Sequence, residues 1–470
     1  MVHQPASSLL TKDLSNLKNI WPQIPEAPDR SITQSLIKAR REKIDSVIVL
    51  DDDPTGTQTV HGIPVLTQWT QSLILAEFES GTELFYILTN SRSLTESEAV
   101  KVTKEITQNI VAAAKKSNTR FWIISRSDST LRGHYPAEVQ AIQACLEIEA
   151  VQFVIPCFFE GGRITVNDIH YVQKGDSWIP AAETTYANDP VFGYQNSNLK
   201  SWVEEKYAGQ VASHQVESIS LDDLRVGSLE DLVRKISNLP SGSPCVVNAT
   251  EYQDLEFFCL ALLTTNSQPL MRTAASLVAA LGCLGEKELL NGKDITTGPG
   301  GLIVVGSFVS TTSDQLSHLL QHHTDLVPIE LEVSKILASD NQSDLEQITR
   351  KIEQHLQQGV CVVIFTSRQL ITGSTEEQNQ QIGKKISASI TQIVGSLQVK
   401  PGFLISKGGI TSSDLATDAL SVRKASVLGQ IIKGVPVWKL GSESKFPGLC
   451  QVIFPGNVGE ESSLTEVVKL

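Results

Sequence analysis

Short, continuously apolar runs alternate with longer amphipathic stretches along most of this chain. Runs at 46–50, 84–88, 121–125 and 151–155 are β-branched or aromatic and bounded by polar turns, which predicts strands buried on both faces. Residues 97–114 and 137–148 carry helical apolar spacing, and Thr95-Glu96-Ser97-Glu98 supplies a helix start. Residues 167–207 behave differently. They are rich in Asp, Asn, Pro, Tyr and Trp without clear periodicity, and are expected to form loops or a lid. Patterning resumes at 211–219, 228–236 and 245–248, and residues 254–284 read as one helical region containing Met271-Arg272-Thr273.

The polar, glycine-rich stretch 287–301 is the best linker. Beyond it a second alternating series begins, with strands expected at 302–305, 327–330, 360–365, 403–405, 435–440 and 451–454. Helices are expected at 313–322, 344–357, 379–394 and 412–420. No short fixed-period repeat occurs, which excludes solenoids. The predicted fold class is α/β: two α/β domains, 1–290 and 300–470, each with a mostly parallel, doubly wound sheet.

Length fits that division, because 470 residues exceed one ordinary core. Hydrophobic content of 41% with 19% charged residues is globular. A net charge of −13 disfavours non-specific nucleic-acid binding. No apolar run approaches the ~20 residues a membrane span needs, and the Pro-rich stretch Trp21–Pro28 reads as an extended lead-in. The seven cysteines are odd in number and form no Cys-x-x-Cys pair, so reduced thiols in a cytoplasmic protein are expected. None of the nine histidines has metal-ligand spacing, and no residue is assigned as a metal ligand. A homodimer is the base-rate expectation.

Candidate chemistry gathers where strands end. The first strand runs into Asp51-Asp52-Asp53-Pro54-Thr55-Gly56. Three consecutive carboxylates repel one another and need compensation; such a turn suits a general base or a magnesium ligand, although Asp, Pro and Gly also make ordinary turns. Thr89-Asn90-Ser91-Arg92-Ser93 follows the second strand, and Ser125-Arg126-Ser127-Asp128-Ser129-Thr130-Leu131-Arg132-Gly133-His134 follows the third. Arg92, Arg126 and Arg132 could hold a carboxylate substrate bidentately, or pair with structural acids.

In the second half, Gly306-Ser307 with Ser310, the Gly408-Gly409-Ile410-Thr411 loop and the Gly456 turn each follow a strand. Amides and hydroxyls in such places suit phosphate, while a Ser or Thr at a helix start is also an ordinary cap. None matches the P-loop or the dinucleotide fingerprint, which disfavours a dehydrogenase.

Together these strings resemble the four-carbon acid sugar kinase family, which phosphorylates tetronate-type sugar acids with ATP. Asp52, Asp53, Thr55 and Gly56 look like its Asp-Asp-x-Thr-Gly motif, and Arg126 to Gly133 is similar to its Lys-x-Asp-Ser-Thr-x-Arg-Gly signature. The C-terminal glycine pieces look like its nucleotide-binding motifs. Departures are Thr57-Gln58-Thr59 after the first motif, Arg126 for Lys, and Ile410 where an acidic residue is usual.

The resemblance implies an N-terminal domain for the sugar acid and a C-terminal domain for ATP, with Mg2+. Asp52 or Asp53 would be base or hydroxyl-orienting group, with Asp128 supporting. Arg92, Arg126, Arg132 and Gly133 would hold the substrate. Ser307, Ser310, Gly408, Gly409, Ile410, Thr411 and Gly456 would hold the nucleotide. The alternative is a catalytically inactive, ligand-binding regulator of the same fold, which Ile410 and Gln58 favour.

Overall fold

The computed structural model describes residues 23–28, 30–285, 287–307, 309–337, 342–368 and 376–470. Most of the N-terminal stretch, including Trp21 and Pro22 of the lead-in, lies outside them. The chain forms two compact units, Met1–Asp52 with Trp69–Lys287, and Asp53–Gln68 with Glu288–Leu470.

The first unit holds a seven-stranded parallel sheet. Its strands are β1 (Ser46–Asp51), β3 (Leu84–Leu88), β4 (Phe121–Arg126), β5 (Gln152–Ile155), β9 (Glu217–Ile219), β10 (Pro244–Val247) and β11 (Leu270–Thr273). The order is β3-β1-β4-β11-β5-β10-β9, and every neighbouring pair is parallel. Val47, Ile48 and Val49 are fully buried, as expected of β-branched residues in a strand covered on both faces. Asp51 pairs in register with Leu88 and Arg126, and Arg126 with Thr273. The loops after β1, β3, β4 and β11 therefore leave one sheet edge, the carboxyl edge where such sheets bind ligands.

Two expectations are corrected in this unit. Residues 254–284 are not one helix: helix Tyr252–Thr264 gives way to β11, and helix Ala275–Gly282 follows. β11 lies between β4 and β5 near the middle of the sheet, where an apolar tetrad of strand length is buried despite its arginine. Residues 167–207 are not a loose lid. An antiparallel meander of β6 (Arg163–Val166), β7 (Ile169–Lys174) and β8 (Ser177–Pro180) leads through short turns to helix Leu199–Lys206. Leu199 N donates to Asp168 O at 2.7 Å, and Trp202 is fully buried, stacked on Tyr135 with centroids 5.0 Å apart.

The second unit holds β2 (Ile63–Leu66), β12 (Leu302–Val305), β13 (Val327–Leu331), β14 (Val362–Thr366), β15 (Leu404–Lys407), β16 (Lys424–Ile432), β17 (Val435–Leu440) and β18 (Cys450–Phe454). β13-β14-β12-β15-β18 are parallel neighbours, and β18-β17-β16-β2 continue antiparallel. Val305 pairs with Lys407, and Lys407 with Phe454, so the loops after β12, β15 and β18 also leave one edge. The core under them includes Ile303, Val305, Ile405, Val452 and Phe454.

The cut near residue 290 does not capture Asp53–Gln68, which joins the second unit although it precedes most of the first. The cause is hydrogen bonding: β2 pairs with β16 from Ile63↔Val427 to Leu66↔Lys424. The buried Trp438 Nε1 donates to Thr57 Oγ1 at 2.9 Å. Among the described residues no helix is long and apolar enough to cross a membrane, and all seven cysteines are free thiols. Trp438→Phe removes the only polar atom of that side chain and leaves the buried Thr57 hydroxyl without its donor. Urea unfolding should show a loss of about 1–2 kcal/mol.

Candidate active site

Three strand ends of the first unit build one network of acids and bases. Asp51 and Asp52 are 1% and 3% exposed, and such a charge pair needs neutralising donors. Arg92 grips Asp52 bidentately, through Nε at 3.1 Å and Nη2 at 2.5 Å. Ser127 Oγ donates to Asp52 Oδ2 at 2.8 Å. Arg126, buried on β4, reaches Asp51 Oδ1 at 3.3 Å and Asp52 Oδ1 at 3.9 Å. Asp128 accepts from Thr130 Oγ1 and from Arg132 Nε at 2.7 Å. Burial opposes its charge, but the Arg132 and Arg92 guanidiniums win and hold the carboxyl well below its ordinary range. Arg132 also reaches Asp189 Oδ2 at 3.5 Å and lies over the Tyr186 ring at 5.4 Å.

The three sequence-predicted arginines thus come together, but each already faces a carboxylate. Arg92 and Arg126 serve Asp52 and Asp51, and Arg132 serves Asp128 and Asp189. Gly133 has a stricter reason to be glycine than substrate contact. Its φ is +116°, and a Cβ there would lie 2.3 Å from Ser127 Oγ and 3.2 Å from Asp52 Oδ2. Leu131 in the same turn sits at φ +71°, a costly conformation for a branched side chain. The Asp128–Gly133 turn is held in place from below. The Nε2–H of His170 donates to Ser129 O at 2.7 Å, and its Nδ1 accepts from Thr165 Oγ1 at 3.0 Å. Burial pushes that imidazole down to about 4, so it is neutral at pH 7.

Two groups in this cluster escaped the sequence reading. Glu138 is buried beside Ser91, whose hydroxyl donates to it at 2.6 Å. Burial, with Asp52 nearby, raises its carboxyl to about 7. Arg272 on β11 donates through Nη2 to the carbonyls of Asp128 and Arg132, at 2.9 and 3.0 Å. An arginine inside an otherwise apolar run was the signal for it.

In the second unit, four glycines let backbone loops approach closely. A Cβ on Gly306 would lie 2.3 Å from Thr411 Oγ1, one on Gly408 3.1 Å from Ser307 Cβ, and one on Gly456 3.0 Å from Ser307 Oγ. Gly408 takes φ +117°. Asp53 accepts from Thr55 N at 2.8 Å and Thr55 Oγ1 at 2.5 Å, and a Cβ on Gly409 would be 3.0 Å from its Oδ2. Ser307, Thr411, Gly408, Gly409 and Gly456 are thus brought together with Asp53. Ser310 opens helix Ser310–His322 and is exposed, and Ile410 is 62% exposed; neither takes part in these approaches.

Lys407 lies buried against this cluster. Its Nζ donates to Pro455 O at 2.6 Å and lies 3.9 Å over the Phe454 ring. Desolvation lowers the ammonium to about 7. Backbone-lined turns, two hydroxyls and a buried lysine suit phosphate. Among the described residues no three His, Cys, Asp or Glu side chains gather as a cation cage. Magnesium commonly needs only one or two carboxylates beside substrate phosphates, and Asp53 is the carboxylate against the Gly409 turn.

The sequence-predicted residues therefore fall into two polar clusters, each at the carboxyl edge of a mainly parallel sheet. Residues 47–281 match the family model for a sugar-binding N-terminal domain, and residues 302–464 that for a nucleotide-binding C-terminal domain. The chain belongs to the four-carbon acid sugar kinase family. Relatives within it include a D-threonate kinase from Bordetella bronchiseptica, 28% identical over 159 residues, covering 32% of this chain and 37% of the relative. A D-erythronate kinase from Heliobacterium modesticaldum is 24% identical over 325 residues, covering 66% of this chain and 68% of the relative. The fold also matches a Salmonella typhimurium LT2 protein described as a tRNA synthase, at TM-score 0.66 and 16% identity, covering 89% of this chain and 98% of that one. A Haemophilus influenzae protein of a family of unknown function matches at TM-score 0.61 and 17% identity, covering 90% and 99%. At those identities the likeness speaks for the fold alone.

Two outcomes follow for the first cluster of this kinase-family chain. Gly133→Ala forces a Cβ onto Ser127 at a left-handed φ. It should lower stability by about 2 kcal/mol or more, read as a drop in the urea midpoint. Glu138 favours its neutral form in the folded protein, so its contribution is complete below the unfolded value near 4.3 and is lost as pH rises through about 7. Glu138→Gln should flatten the stability profile between pH 4.5 and 8, by at most about 3 kcal/mol. Identical slopes for the two proteins would show that Glu138 ionises normally.

Proposed function

We propose that this chain transfers the terminal phosphoryl group of ATP to a hydroxyl of a four-carbon sugar acid, a tetronate or 3-oxo-tetronate. On this reading the first unit binds the sugar acid and the second, which includes Asp53–Gln68, the nucleotide. The names of the D-threonate and D-erythronate kinases support the substrate class. One observation carries the reading furthest. Asp52, locked into the arginine network, and Asp53, packed against the Gly408–Gly409 turn, are joined by a single peptide bond.

Phosphoryl transfer asks little covalent chemistry of a protein; it asks for alignment and charge neutralisation. Asp53, set against the Gly408–Gly409 turn, is the carboxylate left to meet the attacking hydroxyl, because Asp52 is already engaged by a bidentate guanidinium and a hydroxyl donor. Asp53 would orient the attacking hydroxyl and take its proton. Asp52 would hold Arg92 and Ser127 in place, and Asp128 would aim Arg132. Ser307, Thr411 and the amides around Gly408, Gly409 and Gly456 would hold the nucleotide phosphates, with the Lys407 charge beneath. Asp53 is the carboxylate at this turn that would hold a magnesium ion, which when bound would supply charge neutralisation on the phosphates. Ile410, next to Gly409 in the chain, is exposed.

The purified chain with ATP, magnesium and a panel of tetronates should release ADP with at least one of them. Asp53→Asn should then lower kcat by roughly 10²–10⁴-fold while ATP affinity barely changes. An Asp53→Asn protein with normal kcat would place the base elsewhere. ATP binding without turnover of any panel member would favour the non-catalytic regulator.

A further inference from the structure

The loop after β14 delivers a guanidinium to the second cluster. Phe365 near the end of β14 pairs in register with Val305 of β12, and Val305 pairs with Lys407 on its other side. Arg368 therefore leaves the same sheet edge as the Ser307 and Gly408 turns, the edge where parallel sheets take ligands. Its Nη1 donates to Ser307 O at 2.6 Å. Ser307 is where the other turns converge: a Cβ on Gly408 would lie 3.1 Å from its Cβ, and one on Gly456 3.0 Å from its Oγ. Arg368 is thus fastened to the middle of the glycine-lined cradle.

Burial costs this charge more than its surroundings return. Desolvation outweighs the attraction of Glu330 on β13 and lowers the guanidinium pKa, and Glu330 is itself exposed, where water screens it. Lys407, on the other neighbour of β12, is desolvated as well. Two dehydrated cations thus flank one set of turns, and Ile410 adds no carboxylate to the Gly408–Thr411 turn. An anion that reaches such cations stabilises them. The Arg368 side chain is only half-buried. Nε and Nη2 are sealed from solvent, whereas the Nη1 bond to Ser307 is partly open. Nη1 carries two N–H groups and Ser307 takes one, so the second is the donor an incoming oxyanion can meet.

We propose that Arg368 binds a phosphate of the nucleotide, its Nη1 holding Ser307 O with one N–H and a phosphate oxygen with the other. This deepens the nucleotide reading of the second unit and rests on it. The turns offer neutral amides, and the Lys407 ammonium sits at about 7. Arginine keeps its charge at any working pH, so Arg368 is the cradle's constant cation. The group it recognises is the polyphosphate, not the base.

Calorimetric titration of the full chain with ATP and with inorganic tripolyphosphate tests this, comparing wild type, Arg368→Lys and Arg368→Gln. Arg368→Gln should raise the Kd for ATP at least about tenfold. Arg368→Lys, which keeps the charge, should raise it less, and tripolyphosphate should follow the same order. Equal affinities in all three proteins would overturn the proposal and leave the nucleotide reading intact. Equal losses in the Lys and Gln variants would also overturn it, because Arg368 would then only shape the Ser307 turn. A wild-type chain that binds neither ligand would remove the nucleotide reading and the proposal with it. Should the variants fail to fold, the wild-type protein decides. Saturating tripolyphosphate should slow phenylglyoxal modification of Arg368 several-fold, read by mass spectrometry, and leave that of the 75% exposed Arg350 side chain unchanged. An unaltered rate at Arg368 would overturn the assignment.

Discussion

Two carboxylates buried side by side at the end of β1 set the terms for the first unit. Asp51 and Asp52 repel each other and are almost wholly removed from water. The fold tolerates them only because parallel register brings Arg126 of β4 opposite Asp51, and the turn after β3 delivers Arg92 to Asp52. That requirement propagates. Ser127 must approach Asp52, so residue 133 must lack a Cβ. The turn that follows accepts a left-handed leucine and is fastened by His170 and Arg272. Strain of this kind persists where surrounding structure over-determines it.

The second unit solves a different problem with different residues. Its turns must expose backbone amides while passing within van der Waals distance of one another, and glycine at 306, 408, 409 and 456 makes that passage open. A lysine buried without a carboxylate within ion-pair distance, as Lys407 is among the described residues, lies under such turns with its ammonium lowered to about 7 by desolvation. A bound phosphate would favour its charged form. The first unit thus neutralises its acids internally, whereas the second holds a lysine whose charge an external anion would complete.

Much of this was legible in the sequence, for identifiable reasons. β1, β3 and β4 are continuous β-branched or aromatic runs, and only burial on both faces explains such runs, so both strands and their polar ends could be placed. The glycine turns after β12, β15 and β18 were visible for the same reason. Other features were hidden. β11 is four residues long and follows a helical, equally apolar stretch, so periodicity could not separate it from a helix. β16 alternates buried and half-buried positions along Lys424–Ile432, but small residues such as Ala425 and Gly429 weaken the pattern. The meander of β6 to β8 is short and aromatic, and is stabilised by contacts from residues far along the chain such as Asn248. Most tellingly, the motif named the arginines but not their partners. Which guanidinium faces a carboxylate is a matter of distance, and distance is not in the string.

The central claim is that a carboxylate-bearing four-carbon hydroxy acid accepts phosphate at one of its hydroxyls on this protein. ³¹P NMR of the chain incubated with ATP, magnesium and either D-erythronate or D-threonate tests it most directly. The account predicts a phosphomonoester resonance growing in step with ADP and absent when the acid is omitted. ADP and inorganic phosphate without a phosphomonoester, or no change in the ATP signals with either acid, would contradict it.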